Sequence, residues 1–221
     1  MNGRGNMQLE FNFSGAAHVL HGDAFCECDK VLAEVSNPVI VTDPGPIENE
    51  SIFELLSKCP SVLIHFPENL YAFSIRTNNL PKRVVSWVYN SNTGRQHRDI
   101  AFFGVTPNFK GLGDYKNKND PRVVQRIEQG EKCMGYDWLY CDQVKNVSRE
   151  KTEHPCQIPL EVMLYIIASL PEDITVIDPF CGSGTTLVAA KRLGRRYYGI
   201  EISENYCAIA RNRLENDAPL F

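Results

Sequence analysis

The chain lacks any apolar run near the about 20 residues needed to cross a bilayer, which excludes a membrane-spanning helix. No charged-then-apolar opening marks a secretory signal, so a cytoplasmic setting and no membrane partner are expected. The eight cysteines then read as reduced thiols, not as a disulfide framework. They lack metal spacing as well. Cys26-x-Cys28 and Cys133…Cys141 form no paired CxxC or Cys/His set, so no metal is expected and small buried thiols are.

Overall positive charge is also missing, since the formal net charge is −4. The balance hides a partition. Residues 1–70 carry 3 Lys/Arg against 10 Asp/Glu, residues 76–132 carry 11 against 5, and residues 133–221 carry 9 against 12. A net +6 in the middle third is the footprint expected of phosphate contact, although a solvated surface gives the same count. With 221 residues and 43% hydrophobic content, one globular domain with a sizeable core is expected.

What is present centres on Val176-Ile177-Asp178-Pro179-Phe180-Cys181-Gly182-Ser183-Gly184-Thr185-Thr186. Two β-branched residues, an acid, a small-residue turn and then Leu187 to Leu193 predict a buried strand, a tight loop and a helix closed by Gly194. Glycines at 182 and 184 let a ligand approach the backbone, and the helix start offers free N–H groups. Such units bind nucleotide-like ligands in open α/β sheets. The next strand, Arg196 to Ile200, delivers Glu201 about 20 residues beyond the glycines, where an acid accepts from ribose hydroxyls. A solvated turn glutamate is the plainer alternative.

The run Asp178 to Thr186 resembles the S-adenosylmethionine motif of the amino-methylating DNA methyltransferases, the N6-adenine and N4-cytosine enzymes. The preceding His154-Pro155-Cys156-Gln157-Ile158-Pro159 resembles the segment before that motif in the permuted class β order, and the likeness is nearly continuous over 154–214. It implies an α/β, Rossmann-like fold with a seven-stranded, mostly parallel sheet and one antiparallel strand. It also implies a single domain over 9–221, with a catalytic half (17–108), a target-recognition insertion (about 109–152) and a cofactor half (153–214). S-adenosylmethionine is then the expected cofactor and DNA the expected partner. A homodimer is left open.

The same resemblance assigns residues. Phe180, Gly182, Gly184, Thr185 and Glu201, with Asp178, Ser183 and Thr186 of the same run, are expected at the cofactor. Gln157 is expected at its methionine end, and Ile202 at its adenine ring. Asp23, at the end of a short strand, reads equally as a contact to the cofactor's adenine amino group and as a helix cap. His154 is expected to set its loop, and Ile158 stands where the family usually has a lysine.

The resemblance puts the catalytic position at Asp43-Pro44-Gly45-Pro46, after the expected strand Pro38 to Thr42. An exocyclic amine is a poor nucleophile because its lone pair is delocalised into the ring. The Asp43 carboxylate and the Pro44 carbonyl accept its hydrogens, pull it toward sp³ geometry and aim the lone pair. In the family that the chain resembles, an opening Asp goes with adenine N6 more than with cytosine N4, so adenine is the expected base. Gly45 and Pro46 replace the family's second proline and its base-stacking aromatic. Three readings stay open: Phe66, Tyr71 or Phe73 supplies the stack, activity is weak, or the protein binds cofactor and DNA without methylating. In the basic third, Arg95 and Arg98 between two predicted strands (84–89 and 100–105), and Lys116, Lys118 and Arg122 in the insertion, are the DNA candidates. A solvated hairpin tip is the alternative for the first pair.

Overall fold

Alternation along short β-branched runs sets the architecture. In β2 (Pro38–Thr42), Val39 and Val41 face one apolar cluster while Ile40 faces another, as the two-residue period of a strand requires. β3 (Ser61–His65) and β7 (Thr175–Asp178) are buried on both faces in the same way. The computed structural model describes residues 18–45 and 50–217; the expected Pro46 position and residues 9–17 of the expected domain lie outside them.

The remaining strands are β1 (Val19–His21), β4 (Arg83–Val88), β5 (His97–Phe103), β6 (Trp138–Tyr140) and β8 (Arg196–Glu201). They form one sheet of order β1-β8-β7-β2-β3-β5-β4-β6. Only β5 runs against its neighbours among the described strands. Helices α1 (Ala24–Glu34), α2 (Glu50–Ser57) and α3 (Pro67–Thr77) pack Cys28, Leu55, Phe73 and neighbours on one face. Helices α5 (Leu160–Ala168), α6 (Thr185–Arg192) and α7 (Glu204–Asn216) cover the other with Ile166, Leu187 and Ala210. No described helix is long and apolar enough to cross a membrane.

The sheet corrects the expected count of seven strands to eight. The extra strand comes from the insertion: β6 pairs parallel to β4, with Ser86 N donating to Asp137 O and Cys141 N to Val88 O. The Trp87 indole N–H, 1% exposed, donates to the Cys141 carbonyl at 2.7 Å. A three-residue strand is too short to show a period, so no sequence pattern announced it. The adjoining helix α4 (Pro121–Glu128) buries none of its residues.

All five strands from β1 to β3 run parallel, so His21, Glu201, Asp178, Thr42 and His65 end at one edge. The chain leaves β2 toward β3 on one side and β7 toward β8 on the other, which opens a crevice between β7 and β2.

Trp87→Phe keeps the ring and removes the indole donor. It should cost about 1–3 kcal/mol, because the Cys141 carbonyl loses its buried partner. It should also raise amide exchange across 138–141. Exchange equal to wild type would show that the backbone ladder alone holds β6.

Candidate active site

Below the crevice, β7 hands the chain to a loop that two left-handed glycines bend into α6. Gly182 has φ +50° and Gly184 φ +77°, a region L side chains rarely adopt. A Cβ at Gly182 would sit 2.8 Å from His154 Nε2, and one at Gly184 would sit 2.8 Å from Ala210 Cβ. The loop is fastened from three sides. Buried Asp178 accepts from the Thr42 hydroxyl at 2.7 Å and from Phe180 N at 3.1 Å. Burial pushes its carboxyl up to about 6, against hydrogen bonds from Thr186, Thr42 and Phe180 N. Glu201 Oε2 accepts from Gly182 N at 2.9 Å and Oε1 from Ser203 N at 2.8 Å. Arg213 of α7 donates to Ser183 O (2.7 Å), Ser183 Oγ (3.2 Å) and Thr185 Oγ1 (3.0 Å).

Across the crevice, β2 delivers Asp43. Its Oδ2 accepts from Arg98 Nη1 at 2.7 Å, with the two side chains 17% and 19% exposed. Burial pushes the Asp43 carboxyl up to about 6 in spite of the charge and hydrogen bond of Arg98. A Cβ at Gly45 would meet nothing within 4 Å, so no steric demand of the described residues calls for glycine there. A cleft of about 560 Å³ opens beside Asp43, Pro44, Phe66, Arg98, Phe180 and Glu201. Asp43, Phe180, His154 and Cys156 also line a narrower lobe beneath the glycine loop, with Gln157, Asp178 and Thr185. Asp43 thus stands where the two spaces meet. His154 packs edge-on to Tyr206 at 4.6 Å between ring centroids, and burial lowers its pKa.

Several expected residues make contacts within the chain itself. Arg98 lies on β5, not in the loop before it, and its guanidinium is turned inward to Asp43. Arg95 pairs with Glu68 at 2.5 Å and lies 4.2 Å from the Phe66 ring centroid. Asp23 caps α1, accepting from Phe25 N at 2.9 Å. Gln157 lines the lobe, but its amide is tied to the chain: Oε1 accepts from Thr152 N and Oγ1, and Nε2 donates to Glu150 O. Ile202 is 71% exposed past the end of β8. Of the three aromatics considered for the stack, Phe73 is in the core, Tyr71 is 65% exposed, and Phe66 lines the cleft.

In the insertion, Lys116 lies 4.9 Å from the Tyr136 ring centroid, Lys118 pairs with Asp114, and Arg122 with Asp120. Sequence reasoning missed Arg213 and Thr42 as fasteners of the loop. Nothing local separates Arg213 from Arg211 on the same helix, which bonds instead to Glu204 and the Val19 carbonyl.

A family model for N6/N4 DNA methylases matches residues 24–212. The type II methyltransferase M.BglII of Bacillus subtilis is 30% identical over 69% of this chain and 48% of its own length. M.ScaI of Streptomyces caespitosus is 48% identical over 34% of this chain and 25% of its own length. The chain therefore spans a quarter to a half of those two curated relatives. The DNA adenine methyltransferase YhdJ of Escherichia coli K12 is 28% identical over 90% of this chain and 83% of its own. Among solved structures, the M1.HpyAVI–SAM complex superposes with TM-score 0.62 at 24% identity, covering 89% of this chain and 98% of that one. The cytosine-N4-specific PvuII DNA methyltransferase gives TM-score 0.61 at 14% identity, covering 91% and 93%. With the family model matching most of its length, the chain belongs to the N6/N4 DNA methylase family.

Proposed function

We propose that this chain transfers a methyl group from S-adenosylmethionine to an exocyclic amine in DNA, with adenine N6 preferred over cytosine N4. One observation carries the reading: Asp43 just after β2 and the glycine loop just after β7 share a single crevice, joined by the Thr42–Asp178 hydrogen bond. The lobe's donor set suits the cofactor. Glu201 uses one lone pair of each oxygen on backbone N–H groups and keeps others for ribose hydroxyls. A side chain at 182 would collide with His154, so the loop stays open at backbone level. Phe180 and Ile202 offer apolar surface, and Gly184, Ser183, Thr185, Thr186 and Asp178 hold the loop's shape.

S-adenosylmethionine, when bound, supplies a methyl group on a positively charged sulfur. The chain's own residues prepare the amine. Asp43 and the Pro44 carbonyl accept its two hydrogens and turn its lone pair toward the methyl. The amine nitrogen would form the new bond with that pair as the methyl–sulfur bond breaks and its electron pair stays on sulfur, and the surplus proton would leave to water. No general base is needed. A base must leave the duplex stack to reach Asp43, and Phe66, with the Arg95 guanidinium over one face of its ring, is the proposed platform for it on the other. Residues 109–152 are the proposed recognition segment, with Lys116, Lys118 and Arg122 toward phosphates.

The adenine preference rests on Asp43 opening the motif. The name of the relative YhdJ agrees with it, while that of the PvuII enzyme shows the fold serving cytosine as well. Labelled S-adenosylmethionine incubated with unmethylated DNA should place label in N6-methyladenine. Asp43→Ala should lose roughly 10²–10³-fold in rate, the scale of one preorganised charge-stabilising group, with cofactor affinity unchanged. Equal background from wild type and mutant would leave a protein that binds without methylating. Phe66→Ala should cost about 1–3 kcal/mol of DNA interaction if it carries the base. Unchanged KM for DNA would assign the stack elsewhere.

A further inference from the structure

The antiparallel strand brings a cation to the reacting edge. β3 ends at that edge with His65 paired to Asp99, so Arg98, one residue nearer the start of β5, lies just beyond it. From there Arg98 Nη1 reaches Asp43 Oδ2, two strands away, at 2.7 Å. Its guanidinium carbon lies 5.2 Å from the Phe66 ring centroid and 5.9 Å from that of Trp87. Its Nε has no hydrogen-bond partner among the described residues, so two rings and one carboxylate hold it in place.

We propose that Arg98 is a positioning residue for methyl transfer: it grips one oxygen of Asp43 so that the charged carboxylate presents the other to the target amine. The proposal rests on the functional reading above.

The surroundings explain why a cation is needed. Asp178 on β7 adds a like charge, and Glu201 lines the cleft across from Asp43. His65 on β3 and His154 before α5 also line it, and burial lowers the pKa of both, which favours their neutral forms. Cys156, from the same loop as His154, completes the titratable lining. Arg98 is the guanidinium that faces the buried carboxylate among the described residues. A protonated Asp43 would turn one acceptor oxygen into a donor and lose its hold on the amine.

The experiment is the pH dependence of methyl incorporation by wild type, Arg98→Met and Arg98→Lys, read beside carboxyl carbon NMR titrations in which Asp43→Asn assigns the Asp43 signal. Wild-type activity should be present above about pH 6 and fall as pH drops through that value, where Asp43 takes up its proton. An opposite charge at this range lowers a carboxyl by about 1–3 units, so Arg98→Met should move both the acid limb and the Asp43 titration up by that much. That shift costs roughly twofold to a hundredfold at pH 7, according to its size, and is regained as pH rises. Arg98→Lys keeps the charge and should bring both titrations back toward wild type. A limb that stays put in Arg98→Met, with only the KM for DNA and its salt dependence changed, would make Arg98 a phosphate contact and overturn the proposal. Wild-type protein that methylates no DNA would overturn the functional reading, and this proposal with it. Active wild type with an Asp43 titration indifferent to Arg98 would overturn the proposal alone.

Discussion

The site depends on one hydrogen bond, from the Thr42 hydroxyl to the Asp178 carboxylate, which ties strand ends 136 residues apart in the chain. β2 and β7 pair in parallel register, and this side-chain bond locks their last residues together at the edge where both loops begin. Asp178 then shapes the glycine loop by accepting from Phe180 N, while Thr42 is the residue immediately before Asp43. A shift of either strand by one residue would turn its acid away from the crevice and its apolar residues out of their layers. The fastening by Glu201 and Arg213 refines a geometry that this pairing has already set.

Electrostatics follow from the same seam. Two carboxylates, Asp178 buried and Asp43 half-buried, lie at the ends of neighbouring strands, and burial pushes each up to about 6. They are held by different means. Asp178 faces hydroxyl and backbone donors and shapes a loop, whereas Asp43 faces a guanidinium. Both sets of donors favour the ionised form, but only the guanidinium brings a full opposite charge. The pattern separates an acid that holds structure from one that is available to a substrate.

Much of this was legible in the sequence because it is local. Residues 176–186 carry their strand, turn and helix in consecutive positions, and glycines at 182 and 184 stand where the backbone is left-handed. The buried run Pro38–Thr42 showed itself by β-branching alone. What escaped is what depends on distant partners. Arg98 looked like a loop-tip cation because its strand begins three residues earlier than the apolar run, and its partner lies 55 residues away. β6 has three residues and no period. Gln157, expected at the cofactor's methionine end, lines the lobe, but its tie to Glu150 and Thr152 is invisible without the turn between them. Arg213 sits on an ordinary helical face, and only the arrival of the Ser183 loop gives it a role.

Because the seam joins an early strand to a late one, it also orders events during synthesis. β2 and β3 leave the ribosome together with α1 to α3 and can begin their own layer, yet the flank of β2 that β7 will cover stays bare until residue 178 has emerged. At about 5–20 residues per second, that leaves Val39 and Ile40 on an unpaired edge for several seconds. An open apolar edge of this kind is where nascent chains pair wrongly or recruit chaperones. The strand that makes the site thus waits for a partner from the final third of the chain, and loss of that third would remove β7 and β8 from within the sheet rather than from its rim.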